Sequence, residues 1–134
     1  MKKQILLFSI LALLVVSCSK TDKRNYMVIV SLDGFRWDYP NLYEPPNWDK
    51  MAEKGVSAVM FPSFPSSTVP NHYTLATGLV PDHNGIINNT FWDTKSVRRY
   101  TMSDSATRYD PYFYLGEPIW ITAQKQGVKT WNLY

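Results

Sequence analysis

Asp33 directly follows a run of apolar and β-branched residues at 26–32 and precedes Gly34, a position at which a carboxylate could bind a ligand. A run without polar alternation is typical of a strand buried on both faces of a parallel sheet. Open α/β sheets bind ligands at the carboxyl ends of such strands, and a carboxylate there is a suitable ligand for a hard metal ion. The alternative is a structural turn, which Asp-Gly pairs often form.

A second segment, residues 64–73, places several hydroxyl groups on a loop that leads into a predicted helix. Free backbone N–H groups and the helix dipole favour an anion there, so the hydroxyl of Thr68 could attack a phosphate held at this point. A threonine hydroxyl is a weak nucleophile and needs a base or a metal ion, which Asp33 could help to hold. The alternative is an inert N-cap.

A third segment, residues 77–89, contains a turn rich in Gly and Asn. The side-chain amide of Asn89 could donate to a phosphate oxygen, although Asn-Asn pairs are also common in plain turns. His83 lies in the same turn and is expected to be an ordinary surface histidine. His72, which follows the hydroxyl-bearing loop, is expected to be structural.

The elements that would position these residues alternate between strands and helices. Strands are predicted at 26–32, 56–61 and 128–134, and helices at 48–54 with Asn47 as the N-cap, at 70–79 and at 117–126, with a turn at 81–85. This order predicts an α/β fold, namely the N-terminal portion of a doubly wound, mostly parallel sheet. Because the chain stops inside the last predicted strand, we expect the sequence to be a truncated piece of a longer protein.

The amino-acid composition excludes several classes of protein. The 134 residues are 45% hydrophobic and 19% charged, which predicts at most one folded domain and excludes wholesale disorder. The single Cys excludes a disulfide framework and a Cys-based zinc finger. Without Lys2 and Lys3 of the leader, 12 basic residues face 11 acidic ones, and no basic cluster indicates nucleic-acid binding.

The N-terminus predicts the location of the protein. Lys2 and Lys3 precede an apolar stretch from Ile5 to Val16, and Ser17 precedes the lone Cys18, which resembles a bacterial lipoprotein signal. We therefore predict a signal peptide at residues 1–17, a lipid on Cys18 and a polar tether at 18–25. The protein would be anchored to a membrane of the bacterial cell envelope, on its periplasmic or surface side. The alternatives are an ordinary signal peptide with an incidental Cys, or a membrane anchor.

In order and spacing, the three segments together resemble the type I phosphodiesterase / nucleotide pyrophosphatase family of the alkaline phosphatase superfamily. The matching motifs are Asp-Gly-Phe-Arg after a strand, Phe-Pro-x-x-Thr-x-Pro-Asn-His, and Thr-Gly-Leu-x-Pro-x-x-x-Gly-Ile-x-x-Asn. The resemblance covers residues 26–134 and only the N-terminal part of the family's catalytic domain. It implies that Asp33 is a zinc ligand, that Thr68 is the nucleophile and also binds zinc, and that Asn89 contacts a non-bridging phosphate oxygen.

The resemblance also implies the reaction, which is metal-dependent hydrolysis of phosphodiester or pyrophosphate bonds in nucleotides or other small molecules. Two zinc ions are expected in the full-length protein, whose remaining ligands would lie downstream of the matched region. We therefore expect the isolated chain to be inactive and poorly folded.

Three alternatives remain, of which the first two are enzymes of the same superfamily and the third is a protein of a different functional class. A sulfatase of the same superfamily needs a Cys or Ser that is converted to formylglycine, and the only Cys lies in the leader. A phosphomonoesterase is compatible with Asn89. A non-catalytic lipoprotein could bind nucleotides or glycans through aromatic side chains, for which the candidates are Trp37, Trp92, Tyr100, Tyr112 and Tyr114.

Overall fold

The computed structural model describes residues 26–133, and all of its helices and strands lie in one compact unit that begins at Ser31. The elements in chain order are Tyr39–Tyr43 (α1), Pro46–Ala52 (α2), Thr68–Thr77 (α3), Pro81–Asn84 (α4), Thr90–Asp93 (β1), Arg98–Thr101 (β2), Ser105–Arg108 (α5), a 3₁₀ turn at Pro111–Phe113, and Ile119–Lys125 (α6). No helix in this part of the chain is long and apolar enough to cross a membrane.

Helix α3 is the longest element and is bounded by local sequence signals. Ser67 has an extended backbone immediately before the first turn, and Pro70 fits that turn because its missing N–H is not needed there. Gly78 ends the helix with a φ of +69°, a left-handed conformation that glycine adopts without strain, and its N–H donates to the Thr74 carbonyl. The helix predicted at 70–79 is thus confirmed, although it both begins and ends two residues earlier than expected.

An aromatic core joins α3 to the β1–β2 hairpin. Tyr73 of α3, Tyr100 of β2 and Phe113 are all buried, and the Tyr100 ring stacks on Phe91 with the centroids 4.9 Å apart. The Tyr100 and Tyr114 hydroxyls lie 2.9 Å from each other, so the polar tips of these rings are satisfied inside the cluster. Since an isolated two-stranded hairpin is barely stable, this packing against α3 is what holds it.

Asn84 links three segments beneath this core. Its side chain is fully buried; Nδ2 donates to the Leu79 carbonyl at 2.9 Å and Oδ1 accepts from the Ile86 N–H at 3.0 Å. Its backbone carbonyl accepts from the Leu115 N–H at 2.8 Å. A buried amide with satisfied donors and acceptors specifies a single arrangement of the chain, since any other arrangement leaves polar groups unpaired.

The segments predicted as strands do not form strands in the described residues. Residues 26–32, 56–61 and 128–133 have no strand assignment, and Tyr134 lies outside the described part. The sheet that is present is the antiparallel β1–β2 hairpin, in which Thr90 pairs with Thr101 and Asp93 with Arg98. The structure is therefore α/β but does not contain the predicted doubly wound parallel sheet. Apolar runs favour strands, but a strand also needs a neighbour for its backbone hydrogen bonds.

The other boundaries also differ from the sequence-based expectations. Helix α2 begins at Pro46 with Pro45 at the N-cap, where Asn47 was expected, and α6 is shorter than the predicted helix at 117–126. The predicted turn at 81–85 is the single-turn helix α4. The predictions for the signal peptide, Cys18 and the tether fall outside the described residues.

We predict that Asn84→Leu lowers the free energy of unfolding of the full-length protein by about 2–4 kcal/mol, because the Leu79 carbonyl and the Ile86 N–H lose their buried partner. Denaturant unfolding measures the change. The matched control is Asp82→Ala on the exposed side of the same helix, expected to stay within about 0.5 kcal/mol of wild type. Equal stability of the two variants would contradict the assigned role of Asn84.

A second prediction concerns the hairpin turn. The Ser96 and Tyr112 hydroxyls both donate to the Asp93 carboxylate. These hydrogen bonds, with that of Ser96 having the larger effect, hold the pKa of Asp93 far below the ordinary value of 3.8. Because the pKa of Asp93 is lower in the folded state, its ionised form stabilises the folded protein. This stabilisation is complete above the pKa that Asp93 has in the unfolded chain, and it is lost as the pH falls toward the pKa of the folded state. The Tm advantage of wild type over Asp93→Asn should therefore shrink between about pH 5 and pH 2. A constant difference over this range would rule out this effect.

Candidate active site

The first turn of α3 brings the two principal candidates together. Thr68 is the first residue of the helix, and its hydroxyl donates to Asp33 Oδ2 at 3.1 Å. The two residues are 35 positions apart in sequence. The Asp33 side chain is 62% exposed, so its carboxylate remains accessible to a ligand while it contacts the Thr68 hydroxyl.

Asn89 reaches the same helix start from the segment before β1. Its Oδ1 accepts from the backbone N–H of Val69 at 2.9 Å, so the side chain caps α3 from outside the helix. With Oδ1 engaged in this way, the Nδ2 group has no hydrogen-bond partner within residues 26–133. Asn89 therefore presents a free amide donor beside Thr68.

The helix start holds fewer backbone donors than the sequence led us to expect. The Val69 N–H is bound to Asn89, and Pro70 has no N–H to offer. Of the first three residues of α3, Thr68 alone keeps an N–H without a partner among the described residues. An anion at this point would meet the Thr68 N–H and the Asn89 amide rather than a full turn of N–H groups.

Asn71 fixes the loop that precedes Thr68. Its Nδ2 donates to the carbonyls of Pro65 at 2.9 Å and Ser67 at 3.0 Å, while its Oδ1 accepts from the Ser63 N–H at 2.9 Å. One side chain on α3 thereby ties down the loop residues between Ser63 and Thr68. This rigidity keeps the Thr68 hydroxyl in place relative to the helix axis.

His72 joins the site, although the sequence predicted only a structural role. It lies four residues after Thr68 and therefore on the same face of α3. Its Nε2 is 3.8 Å from Asp33 Oδ1, and its Nδ1 is 2.6 Å from the Ser31 hydroxyl oxygen. Ser31 was not singled out in the sequence, but the i, i+4 spacing of Thr68 and His72 was a usable signal for the histidine. His83 instead lies 3.9 Å from Asp82 and is well exposed.

The donor set fits part of a metal site. The Asp33 carboxylate and the Thr68 hydroxyl offer two oxygen atoms 3.1 Å apart, which suits two ligands of one cation. Catalytic zinc usually has three protein ligands, and the described residues contain no group of three or more His, Cys, Asp or Glu that could hold a metal ion. Asp33 and Thr68 can thus supply one side of a coordination sphere but not all of it.

The aromatic residues of the non-catalytic alternative do not act as one surface. Tyr100 is fully buried and shares a hydrogen bond with Tyr114, so both rings serve the core. Tyr112 donates to Asp93 and is covered by the Arg98 guanidinium at 4.9 Å. Trp37, Trp92 and Tyr112 are the exposed members of the five.

Comparisons with known proteins show which family this chain resembles. The model of the family described as type I phosphodiesterase / nucleotide pyrophosphatase matches residues 27–134. An uncharacterized pyrophosphatase/phosphodiesterase of Schizosaccharomyces pombe is 41% identical over 106 residues, which is 78% of this chain and 22% of the relative.

Mammalian proteins are also similar to this chain. Ectonucleotide pyrophosphatase/phosphodiesterase family member 7 of Mus musculus is 37% identical over 120 residues, covering 89% of this chain and 27% of the relative. Family member 1 of Homo sapiens is 37% identical over 110 residues, covering 80% of this chain and 12% of the relative. The chain thus spans about a quarter or less of the length of these relatives. It belongs to the type I phosphodiesterase / nucleotide pyrophosphatase family.

Proposed function

We propose that the full-length protein hydrolyses phosphodiester or pyrophosphate bonds of nucleotides or other small molecules, with Thr68 as the nucleophile. The observation that carries the proposal is the 3.1 Å hydrogen bond from the Thr68 hydroxyl to Asp33 at the start of α3. Family membership supports the reaction class, because the relatives are named as pyrophosphatases and phosphodiesterases.

The proposed reaction has two displacements at phosphorus. In the first, the Thr68 hydroxyl gives up its proton to solvent and Oγ1 forms a bond to phosphorus, while the bond to the leaving alcohol or phosphate breaks and the leaving oxygen takes the electron pair. In the second, a water oxygen attacks phosphorus, the Thr68 Oγ1–P bond breaks with its electron pair going to Oγ1, and a proton released by the attacking water regenerates the hydroxyl. The rigid loop before Thr68 and the contact with Asp33 hold the attacking oxygen in one position for both steps.

Two donors at the helix start would stabilise the charge that develops on the phosphoryl oxygens. Asn89 Nδ2 and the Thr68 N–H are without protein partners in the described residues and lie beside the nucleophile. Donors fixed in place before the reaction act strongly, since no reorganisation is needed as the charge forms. Oδ1 of Asn89 is held by Val69, which fixes the orientation of the amide.

Asp33 and Thr68 would hold zinc on this side of the site, together with ligands that these two residues do not supply. Bound zinc lowers the pKa of a coordinated hydroxyl and neutralises negative charge on the phosphoryl group. We propose two zinc ions for the full-length protein, as the family resemblance implies.

The same proposal extends to the architecture and the location. Leu32, Val59 and Leu133 are exposed by 53%, 58% and 92%, so the apolar segments to which they belong lack covering partners in the described residues. This exposure supports a larger, mostly parallel sheet of the alkaline phosphatase type, of which residues 26–134 form the N-terminal part. We also propose a leader at 1–17, a lipid on Cys18 and a tether at 18–25, which would anchor the protein in the bacterial cell envelope; the apolar stretch from Ile5 to Val16 before the lone Cys18 supports this.

The first test is Thr68→Ala in the full-length protein, assayed with bis-p-nitrophenyl phosphate. Loss of the nucleophile should reduce kcat by about 10³-fold or more, and a chelator should abolish the wild-type activity. Ser66→Ala, two residues earlier in the same loop, is the matched hydroxyl control and should keep wild-type kcat. Hydrolysis of p-nitrophenyl phosphate in preference to the diester would favour the phosphomonoesterase alternative. Wild-type activity in Thr68→Ala would show that Thr68 is not the nucleophile.

The second test separates the two functions of Asn89. Asn89→Asp keeps an oxygen for the Val69 N–H but removes the amide donor and adds negative charge, so kcat/KM should fall by about 10²-fold or more with Tm nearly unchanged. Asn89→Ala should lower both kcat/KM and Tm, because the helix start also loses its cap. If Asn89→Asp retained full kcat/KM, the amide would have no part in phosphate recognition.

A further inference from the structure

We infer that Ser31 and His72 form a positioning pair that orients the Asp33 carboxylate toward the Thr68 hydroxyl. The inference rests on the proposed function and extends it to two residues for which the sequence had predicted no such role. It is carried by a continuous chain of polar contacts that runs Ser31, His72, Asp33, Thr68.

The hydrogen positions in this chain follow from its chemistry. The Ser31 hydroxyl lies 2.6 Å from His72 Nδ1, and Nε2 of the same ring faces Asp33 Oδ1 at 3.8 Å. A carboxylate accepts hydrogen bonds only, so an imidazole ring with one proton can donate toward Asp33 only when that proton is on Nε2. Nδ1 is then the acceptor, and the Ser31 hydroxyl donates to it.

The two oxygens of Asp33 thus face different partners. Oδ2 receives the Thr68 hydroxyl at 3.1 Å, and Oδ1 faces the polarised N–H of His72. The 3.8 Å separation is an electrostatic contact, and an approach of about 1 Å converts it into a direct hydrogen bond. An otherwise exposed carboxylate has several orientations, and contacts at both oxygens select the one that serves Thr68.

The placement of His72 differs from that of a core histidine. Its side chain is 23% exposed and its Nε2 points at a carboxylate that is 62% exposed, whereas Tyr73, the next residue, is the one that enters the core. The neighbouring Asn71 already ties the loop to α3. The His72 contacts are therefore directed at Asp33 and Ser31, and their removal should affect the site more than the fold.

The experiment compares His72→Leu with His72→Gln in the full-length protein. Leucine fills the space without a donor, while the glutamine amide can place an N–H near the position of Nε2. With bis-p-nitrophenyl phosphate, His72→Leu should lower kcat by about 10–100-fold with little change in KM, and His72→Gln should recover most of the loss. His83→Leu, an exposed histidine that contacts Asp82, is the matched control and should behave as wild type.

A second readout does not depend on turnover. After removal of metal by a chelator, competition between the protein and a chromophoric chelator for zinc alone should show weaker zinc binding in His72→Leu, by about 10–100-fold, and near wild-type binding in His72→Gln. Ser31→Ala should cause a smaller loss of the same kind, and adding it to His72→Leu should cause no further loss, since the two residues act through one path.

The outcomes distinguish this inference from the proposed function. Wild-type rates of hydrolysis in Thr68→Ala would contradict the proposed function, in which Thr68 is the nucleophile. If Thr68→Ala is inactive but His72→Leu keeps wild-type kcat and zinc affinity, the positioning role alone is wrong. Equal losses in His72→Gln and His72→Leu, together with a lowered Tm in both, would also overturn it. Should His72→Leu fail to fold, Ser31→Ala decides, and unchanged kcat and zinc affinity in that variant would reject the pair.

Discussion

The hydrogen bond from the Val69 N–H to Asn89 Oδ1 is the contact on which the site depends. Val69 follows Thr68 at the start of α3, and Asn89 precedes the first strand of the hairpin. One bond of 2.9 Å therefore fixes the distance between the proposed nucleophile and the proposed phosphate donor. It also satisfies a helix N–H that would otherwise need water, so the same contact stabilises the helix start and orients the proposed phosphate donor.

That bond is maintained because the hairpin cannot move relative to α3. Tyr73, Tyr100 and Phe113 interlock in the core, and edge-to-face ring contacts restrict rotation of each ring. The buried amide of Asn84 holds the turn between α3 and the hairpin. At Gly85 a Cβ atom would lie 2.5 Å from the Phe113 carbonyl oxygen, so the close approach of these segments requires glycine. The site thus rests on a rigid support.

Asp33 is held differently from the other two residues. It lies on an exposed segment outside the aromatic core, and its described side-chain contacts are with Thr68 and His72. Its orientation therefore depends on polar contacts rather than on packing, which is why the Ser31 and His72 pair matters in our account. Asp33 and Thr68 would hold a metal ion on this side of the site, and the contact of His72 with the other carboxylate oxygen would help to orient Asp33 for that purpose.

The sequence by itself indicated the candidate residues of the site and the existence of helix α3. The order of Asp33, Thr68 and Asn89 within their motifs indicated the family, and the pattern at 70–79 predicted a helix, since these signals are contained in neighbouring residues. The hairpin, the absence of strands at 26–32 and 56–61, and the place of His72 beside Asp33 were decided by the tertiary structure. Each of these depends on a partner distant in the chain, and the type of a residue does not state which partner will satisfy its backbone or side chain.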